Sequence, residues 1–260
     1  MSKKQPSGNV TAGAIMQPTY FPWLGLFDLI DRSDVFVFLD DVQIIKRSWD
    51  ARNRIKSANG ELYLTVPVKK KHRDEMCFNN TEINYEEKWV KKHLKSLELS
   101  YRKAPYFQEV YEFVQNILLR QYASLAELNI ATIRSIAEKW EVNVDFRKSS
   151  DLNVKGKRDQ LLVEICETLG IHYYISPQGS AEYIEKDRPA GHFSESSVKL
   201  VYQNFKHPFY SQLWGEFTSH LSIIDALMNC GFQGTLEIIR QGRQPNYDVN
   251  TFRKLMKQNN

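Results

Sequence analysis

The run Asp34-Val35-Phe36-Val37-Phe38-Leu39 constrains the fold most, because after its first residue it contains only apolar, β-branched and aromatic side chains. A segment of that kind reads as a strand covered on both faces, and such strands belong to largely parallel sheets with helices on either side. Ahead of it, Ala12 to Met16 is a short apolar run that ends at a proline-containing loop, as a buried first strand leading into a turn would. Between the two, Leu24 to Asp31 places Leu24, Phe27, Leu29 and Ile30 on one broad helical face. Strand, helix and strand in one compact stretch make a βαβ unit. The chain is therefore expected to be α/β, with a Rossmann-like, mostly parallel sheet, flanking helices and a helical insertion.

Further along, Tyr63-Leu64-Thr65-Val66-Pro67-Val68 is a third strand candidate after an Asn59-Gly60 turn, and Pro67 puts its end at a sheet edge or at the site. From Tyr85 to Glu141 the periodicity changes to i, i+3, i+4 and predicts helices over roughly 86–99, 105–120 and 123–140. The α/β rhythm returns at Val144-Asp145-Phe146. A helix from Arg158 to Leu169 follows, capped by Gly170, and then come the strands His172 to Ser176 and Ser197 to Tyr202. A helix from Ser222 to Asn229 is expected to stop at Gly231. The division this implies is a flexible leader over 1–11, an N-terminal α/β part over 12–84 and a helical insertion over 85–141. A C-terminal α/β part over 142–245 and a loose polar tail over 246–260 complete it.

With 260 residues and 42% apolar content, the chain can close a sizeable core unaided. Its 35 basic and 31 acidic residues leave a formal charge of only +4, which describes a mixed-charge surface and not a DNA-binding one. Cys77, Cys166 and Cys230 lie far apart, without metal-ligand or disulfide spacing, so no metal is expected. The start is polar, and no window holds the roughly 18 apolar residues of a membrane span. A cytoplasmic location, with no transmembrane segment, is the expectation.

Gln17-Pro18-Thr19-Tyr20-Phe21-Pro22-Trp23-Leu24-Gly25 crowds two prolines and three large aromatics between a buried strand and a helix N-terminus. In open α/β sheets ligands bind beyond the strand C-termini, and a helix start there offers N–H groups to an anion. Gln17, Tyr20, Phe21 and Trp23 are therefore candidate pocket residues. The alternative is a rigid plug packed on the sheet. No GxGxxG or GxxxxGK[ST] pattern is present. The next strand delivers Asp40, Asp41 and Gln43 to the same sheet end, where a carboxylate can serve as a general base or as a turn cap. Lys46, Trp49, Arg52, Asn53 and Lys56 follow, suited to clamping phosphate and stacking on a ring, with a solvated basic helix as the alternative. Lys157 at a helix start, Ser176 at a strand end, and His207 and Tyr210 in the aromatic-rich loop complete the candidates. Of these, His207 is a candidate acid or base.

Several of these patterns coincide with a known family. Gln17-Pro18-x-Tyr20-Phe21-Pro22-Trp23-x-Gly25-x-Phe27, Phe38-Leu39-Asp40-Asp41-Val42-Gln43, Trp49-x-x-Arg52-Asn53 and Leu64-Thr65-Val66-Pro67-Val68 together resemble the WbqC-like family of bacterial proteins, over essentially the whole chain. Trp89 with His93, Tyr101-x-Lys103-Ala104-Pro105, Tyr174-x-Ser176-Pro177, His207-Pro208-x-Tyr210 and Leu221 to Asp225 add to it, while Leu26 and Leu62 replace an expected tyrosine and tryptophan. The resemblance implies a role in surface-polysaccharide (O-antigen) biosynthesis. The implied reaction is transfer of an acyl or aminoacyl group from an activated donor to the amine of a nucleotide-linked amino sugar. Asp40, Asp41 or His207 would be catalytic, and other polysaccharide-biosynthesis enzymes would be partners. Two other readings remain open: an ATP-dependent, nucleotidylyl-transferase-like or ligase enzyme that activates an acid, and a non-catalytic sugar-nucleotide binding protein.

Overall fold

The structure, a computed structural model, describes residues 10–44, 49–69 and 76–258. Along the chain run β1 (Ala12–Met16), α1 (Leu24–Arg32), β2 (Val35–Phe38), β3 (Arg52–Ser57) and β4 (Gly60–Thr65). Then come α2 (Trp89–Tyr101), α3 (Phe107–Leu118), α4 (Leu125–Lys139), β5 (Asp145–Lys148), α5 (Asp159–Thr168), β6 (Tyr173–Ser176) and the short α6 (Ala181–Ile184). The chain closes with β7 (Lys199–Tyr202), α7 (Ile223–Gly242), β8 (Tyr247–Asp248) and α8 (Val249–Gln258).

Six strands form one sheet in the order β5-β2-β1-β6-β7-β8, parallel throughout except for β8, which runs antiparallel to β7. The expected α/β class and mostly parallel sheet are thus present. Side chains alternate across the pleat. Ala14, Phe36, Phe38, Ile175 and Val201 join the apolar cluster that includes α1, α4 and α7 residues, while Ile15, Val35, Val37, Tyr174 and Tyr202 join the one built with α5 and α8. All four residues of β2 are buried, which explains why its sequence carries no polar alternation. The connection leaving β1 leads to β2 on one side, and β6 lies on the other, so the crevice between the C-terminal ends of β1 and β6 is the topological switch point.

Three sequence expectations change. The strand candidate at Tyr63 is β4, but it pairs only with β3 in a separate antiparallel hairpin and stays outside the main sheet. Its partner β3 covers Arg52 to Ser57, so that half of the basic stretch is extended and not helical; its residues alternate between an inner face with Asn53 and Ile55 and an outer one with Arg52 and Arg54. α7 breaks at Gly231 as expected, with φ 70° and ψ 176°, but helix resumes at once beyond it. A Cβ at Gly231 would stand 2.7 Å from the Tyr106 ring, so the break makes room for that side chain.

The third change is at the C-terminus, where polar composition suggested a loose tail. β8 and α8 are formed there, and Phe252, 6% exposed, stacks on Tyr202 at 4.4 Å between ring centroids. Val249 and Met256 pack beside it, and Arg253 pairs with Glu185 at 2.8 Å, so the apolar face of α8 docks around Phe252. Phe252→Ala removes that anchor and is expected to lower unfolding free energy by about 3 kcal/mol, measured by urea denaturation.

Candidate functional site

The loop from Gln17 to Trp23 is held by hydrogen bonds to its main chain. Asn129 of α4 donates to the Pro18 carbonyl (2.8 Å) and, with the same amide, to the Asp50 carbonyl (2.9 Å). Asn53 of β3 donates to the carbonyls of Tyr20 (3.2 Å) and Phe21 (2.8 Å), and the Ser222 hydroxyl adds a second donor to Phe21 at 2.9 Å. Phe21 needs this support because its φ of 39° lies in the left-handed region that side chains disfavour. Tyr20 and Phe21 are themselves fully buried, so they hold the loop from below and do not face a ligand. Burial pushes the Tyr20 phenol pKa up, and its hydroxyl donates to Nδ1 of His93 at 3.0 Å, while His93 Nε2 donates to the Thr65 carbonyl at 3.1 Å.

This pinned loop presents Trp23 to the switch-point crevice. The indole folds back over the first turn of α1, so close that a Cβ on Gly25 would lie 2.2 Å from it. Phe205 meets its ring edge-on at 5.6 Å, and His207 and His220 pack at 6.3 and 5.0 Å. A cavity of about 540 Å³ opens beyond the ends of β1 and β6, lined by Met16, Gln17, Trp23, Leu39, the turn Pro177-Gln178-Gly179-Ser180, Tyr183 and Phe205, with His220 at its margin. A second cavity of about 270 Å³ shares Met16, Trp23 and His220 with the first and is otherwise lined by Thr19, Pro22, Leu26, Trp49, Asn53 and Arg54. The two are lobes of one cleft, with Trp23 and His220 in the wall between them.

Of the sequence candidates, Gln17 and Trp23 line the larger lobe, and Trp23, Trp49 and Asn53 the smaller. Ser176 is buried at the end of β6, directly before the turn that forms the floor. Trp49 is 47% exposed and stacks on Tyr63 at 6.4 Å; the Arg52 guanidinium lies over Tyr63 at 5.0 Å, and that of Arg54 over Trp49 at 5.8 Å. This outer face of the hairpin is an aromatic and cationic platform beside the smaller lobe.

Other candidates are committed elsewhere. Asp40, 2% exposed, accepts from the Ser150 N–H (3.0 Å) and hydroxyl (2.8 Å), and its own N–H donates to Ser149 Oγ (3.1 Å), whose hydroxyl donates to Asp41. The acid pair therefore caps the turn after β5, one strand away from the switch point. The Asp40 carboxylate is met by donors on both oxygens, while the exposed Asp41 takes the Ser149 hydroxyl. Gln43 pairs through its backbone with Cys77. Lys56 is buried, its ammonium donates to Gln212 (3.0 Å) and the Glu216 carbonyl, and it lines neither lobe. Tyr210 is buried and donates to Asp225 at 2.9 Å. Lys157 is exposed at the start of α5. Lys46 lies outside the described residues. Among the described residues no group of three or more acids, histidines or cysteines could hold a metal ion, and no helix is long and apolar enough to cross a membrane.

His207 does not line either lobe. It stands behind Trp23 and His220, with its Nδ1–H donating to the Pro208 carbonyl at 3.0 Å and Nε2 buried without a hydrogen-bond partner. Sequence reading passed over His220 because it lies in no motif; only its backbone sets it apart, with φ at 58°. Burial lowers the His220 pKa, and the Arg54 guanidinium lowers it further. Burial likewise holds His93 and His207 down, each at about 4, against an ordinary 6.5.

Both residues are thus neutral in the fold but take up a proton on unfolding once the pH drops below about 6.5. Their contribution to stability is complete above that value and is lost as the pH falls toward 4. Urea midpoints should therefore fall steeply between pH 6.5 and pH 4, and His93→Gln should flatten that fall. Asn53→Ala strands the Tyr20 carbonyl and removes one of the two donors to that of Phe21, and should cost about 1–3 kcal/mol in the same measurement.

Comparison with known proteins places this geometry in a family. The WbqC-like protein family matches residues 17–237, a span that contains the loop, the lining of both lobes from Gln17 onward and the first part of α7. The uncharacterized protein Rv1507c of Mycobacterium tuberculosis (strain ATCC 25618 / H37Rv) is 32% identical over 233 residues, covering 89% of this chain and 98% of that protein. No solved structure matches the chain.

Proposed function

The chain belongs to the WbqC-like protein family, and from that premise we propose that it is a cytoplasmic transferase that joins an acyl or aminoacyl group to the amine of a nucleotide-linked amino sugar in surface-polysaccharide assembly. The two-lobed cleft at the switch point is the observation that carries this reading. A group-transfer enzyme has to seat two reactants side by side, and here two cavities of about 540 and 270 Å³ share a wall made of Trp23, Met16 and His220.

The larger lobe falls within the range of about 300–1,000 Å³ usual for ligand pockets and suits the nucleotide sugar. Trp23, Phe205 and Tyr183 supply ring surface for base and sugar. Gln17 offers an amide to hydroxyls. The basic residues assigned to a phosphate clamp from sequence contribute differently, since Arg52 and Lys56 face the hairpin platform and the loop around Gln212. An amine attacking an activated acyl carbon needs orientation and a proton acceptor and no protein nucleophile. The acyl donor arrives already activated.

Calorimetric titration of the purified chain with nucleotide-linked amino sugars tests the assignment. Micromolar binding is expected. Trp23→Ala should weaken it at least tenfold, about 1.4 kcal/mol, and Gly25→Ala should do the same by expelling the indole while circular dichroism stays unchanged. Absence of heat across a panel of nucleotide amino sugars would sink the reading.

A further inference from the structure

We propose that His220 is the proton acceptor of the transfer, stationed in the wall between the two lobes, with the smaller lobe as the seat of the acyl donor. The inference rests on the transferase reading above and names its catalytic residue and the place where the two substrates meet.

Three observations converge on His220. It lines both lobes, a position that among the described residues it shares with Met16 and Trp23, and of those three it alone can exchange a proton. Its backbone sits in the left-handed region, with φ at 58°. That conformation is disfavoured for a residue with a Cβ, and such strain persists only where the surrounding structure enforces it, which is most often at a working site. The enforcement is visible two residues on. Ser222 donates to the Phe21 carbonyl at 2.9 Å, the Ile223 N–H donates to the Pro22 carbonyl at 2.9 Å, and the Ser222 N–H donates to the Arg54 carbonyl at 2.9 Å. The segment carrying His220 is thereby tied both to the pinned loop and to the hairpin.

The imidazole itself is placed by packing. Trp23 lies 5.0 Å and His207 4.8 Å from its ring centre. Nδ1 is 2.9 Å from Ser219 Oγ, and as a donor there it leaves Nε2 with its lone pair. Among the described residues, the charged group facing it is Arg54, from β3, and the titratable ring beside it is His207, from the loop before α7. Partial burial and the Arg54 cation both disfavour a resident proton, which favours the neutral imidazole that can accept one. His207 is a positioning residue. Its Nδ1–H is spent on the Pro208 carbonyl and its ring touches no cavity, so it holds the His220 ring from behind.

The chemistry follows from that placement. The sugar amine, presented from the larger lobe, attacks the carbonyl carbon of an activated acyl donor, a thioester or mixed anhydride, held in the smaller lobe against Trp49, Thr19 and Arg54. A C–N bond forms, one amine proton passes to Nε2 of His220, and the donor's leaving group departs with the electron pair of its bond to the acyl carbon.

The test uses the full chain and two readouts. Diethyl pyrocarbonate acylates unprotonated imidazoles, and peptide mass mapping reports each histidine separately. A saturating nucleotide-linked amino sugar, its binding verified by calorimetry, should protect His220, while the exposed His172 and His192 react as before. Binding without protection of His220 overturns this inference and leaves the transferase reading intact, whereas no binding at all removes the transferase reading itself. In turnover with an acyl thioester, His220→Gln should lose about 10²–10⁴-fold in kcat, with nucleotide-sugar affinity within about twofold of the unmodified chain, and added imidazole should restore part of the rate to His220→Ala. His207→Gln should lose less and shift the acid limb of the pH profile. Unchanged kcat in His220→Gln, or a loss matched by lost binding, overturns the assignment.

Discussion

Everything at the crevice depends on how the carbonyl of Phe21 is satisfied. A fully buried residue with φ at 39° is costly, of the order of 1–3 kcal/mol, unless its polar groups are met. Two donors from distant parts of the chain meet it, the Asn53 amide from β3 and the Ser222 hydroxyl at the start of α7. Because a lost partner would leave a buried acceptor unpaired, these bonds fix geometry more than they add net stability. They bring the β1–α1 loop, the hairpin and the N-terminus of α7 to one point, and Trp23 and His220 project from two of those three elements on either side of it.

A second polar cluster secures the opposite end of α1. Asp28, wholly buried, is shared by Arg32 and Arg243, each at 2.9 Å, and by the Gln203 amide at 2.8 Å; Gln203 also donates to the Gly25 carbonyl. A buried carboxylate so surrounded is no bargain over an apolar packing of equal volume. It does fix the rotation of α1 against β7 and the end of α7, and that rotation determines where the indole of Trp23 rests. With Asn53 and Ser222 acting before the helix and Asp28 within it, α1 is held at both ends, and the one close approach it makes, ring on Gly25, is enforced.

Legibility from sequence divides along the same physical line. The strand at Val35 to Phe38, the helix at Leu24 and the break at Gly231 are local consequences of apolar period and backbone freedom, and all were readable. Gln17 and Trp23 at the crevice followed from strand-end placement in a parallel sheet. What was not readable required knowing which face of an extended segment looks inward. Tyr20 and Asn53 occupy motif positions that read equally well as ligand contacts, and only tertiary pairing with His93 and with the loop carbonyls shows them buried. The Asp40-Asp41 pair was open between base and cap, and Ser149 and Ser150, more than a hundred residues away, decide the geometry for capping. His220 sits in no pattern because backbone strain leaves no mark on composition.

The helices between β4 and β5 can be understood in the same terms. Their apolar faces would pack on many surfaces, since hydrophobic burial is non-directional. Selection comes from polar groups they carry inward: His93 of α2, which receives the Tyr20 hydroxyl and spends its other nitrogen on Thr65, Tyr101 of α2, which joins Asp225 to the Lys56 N–H, and Asn129 of α4, whose amide joins the carbonyls of Pro18 and Asp50. Together they satisfy partners that this loop, this hairpin and α7 present. A one-turn shift of α2 would break the two hydrogen bonds of His93, and one of α4 the two of the Asn129 amide, a penalty of about 1–3 kcal/mol for each buried group left without a partner. These helices are thus the rear wall of the cleft, and their polar residues, few as they are, set the position in which the loop can hold Trp23 against His220.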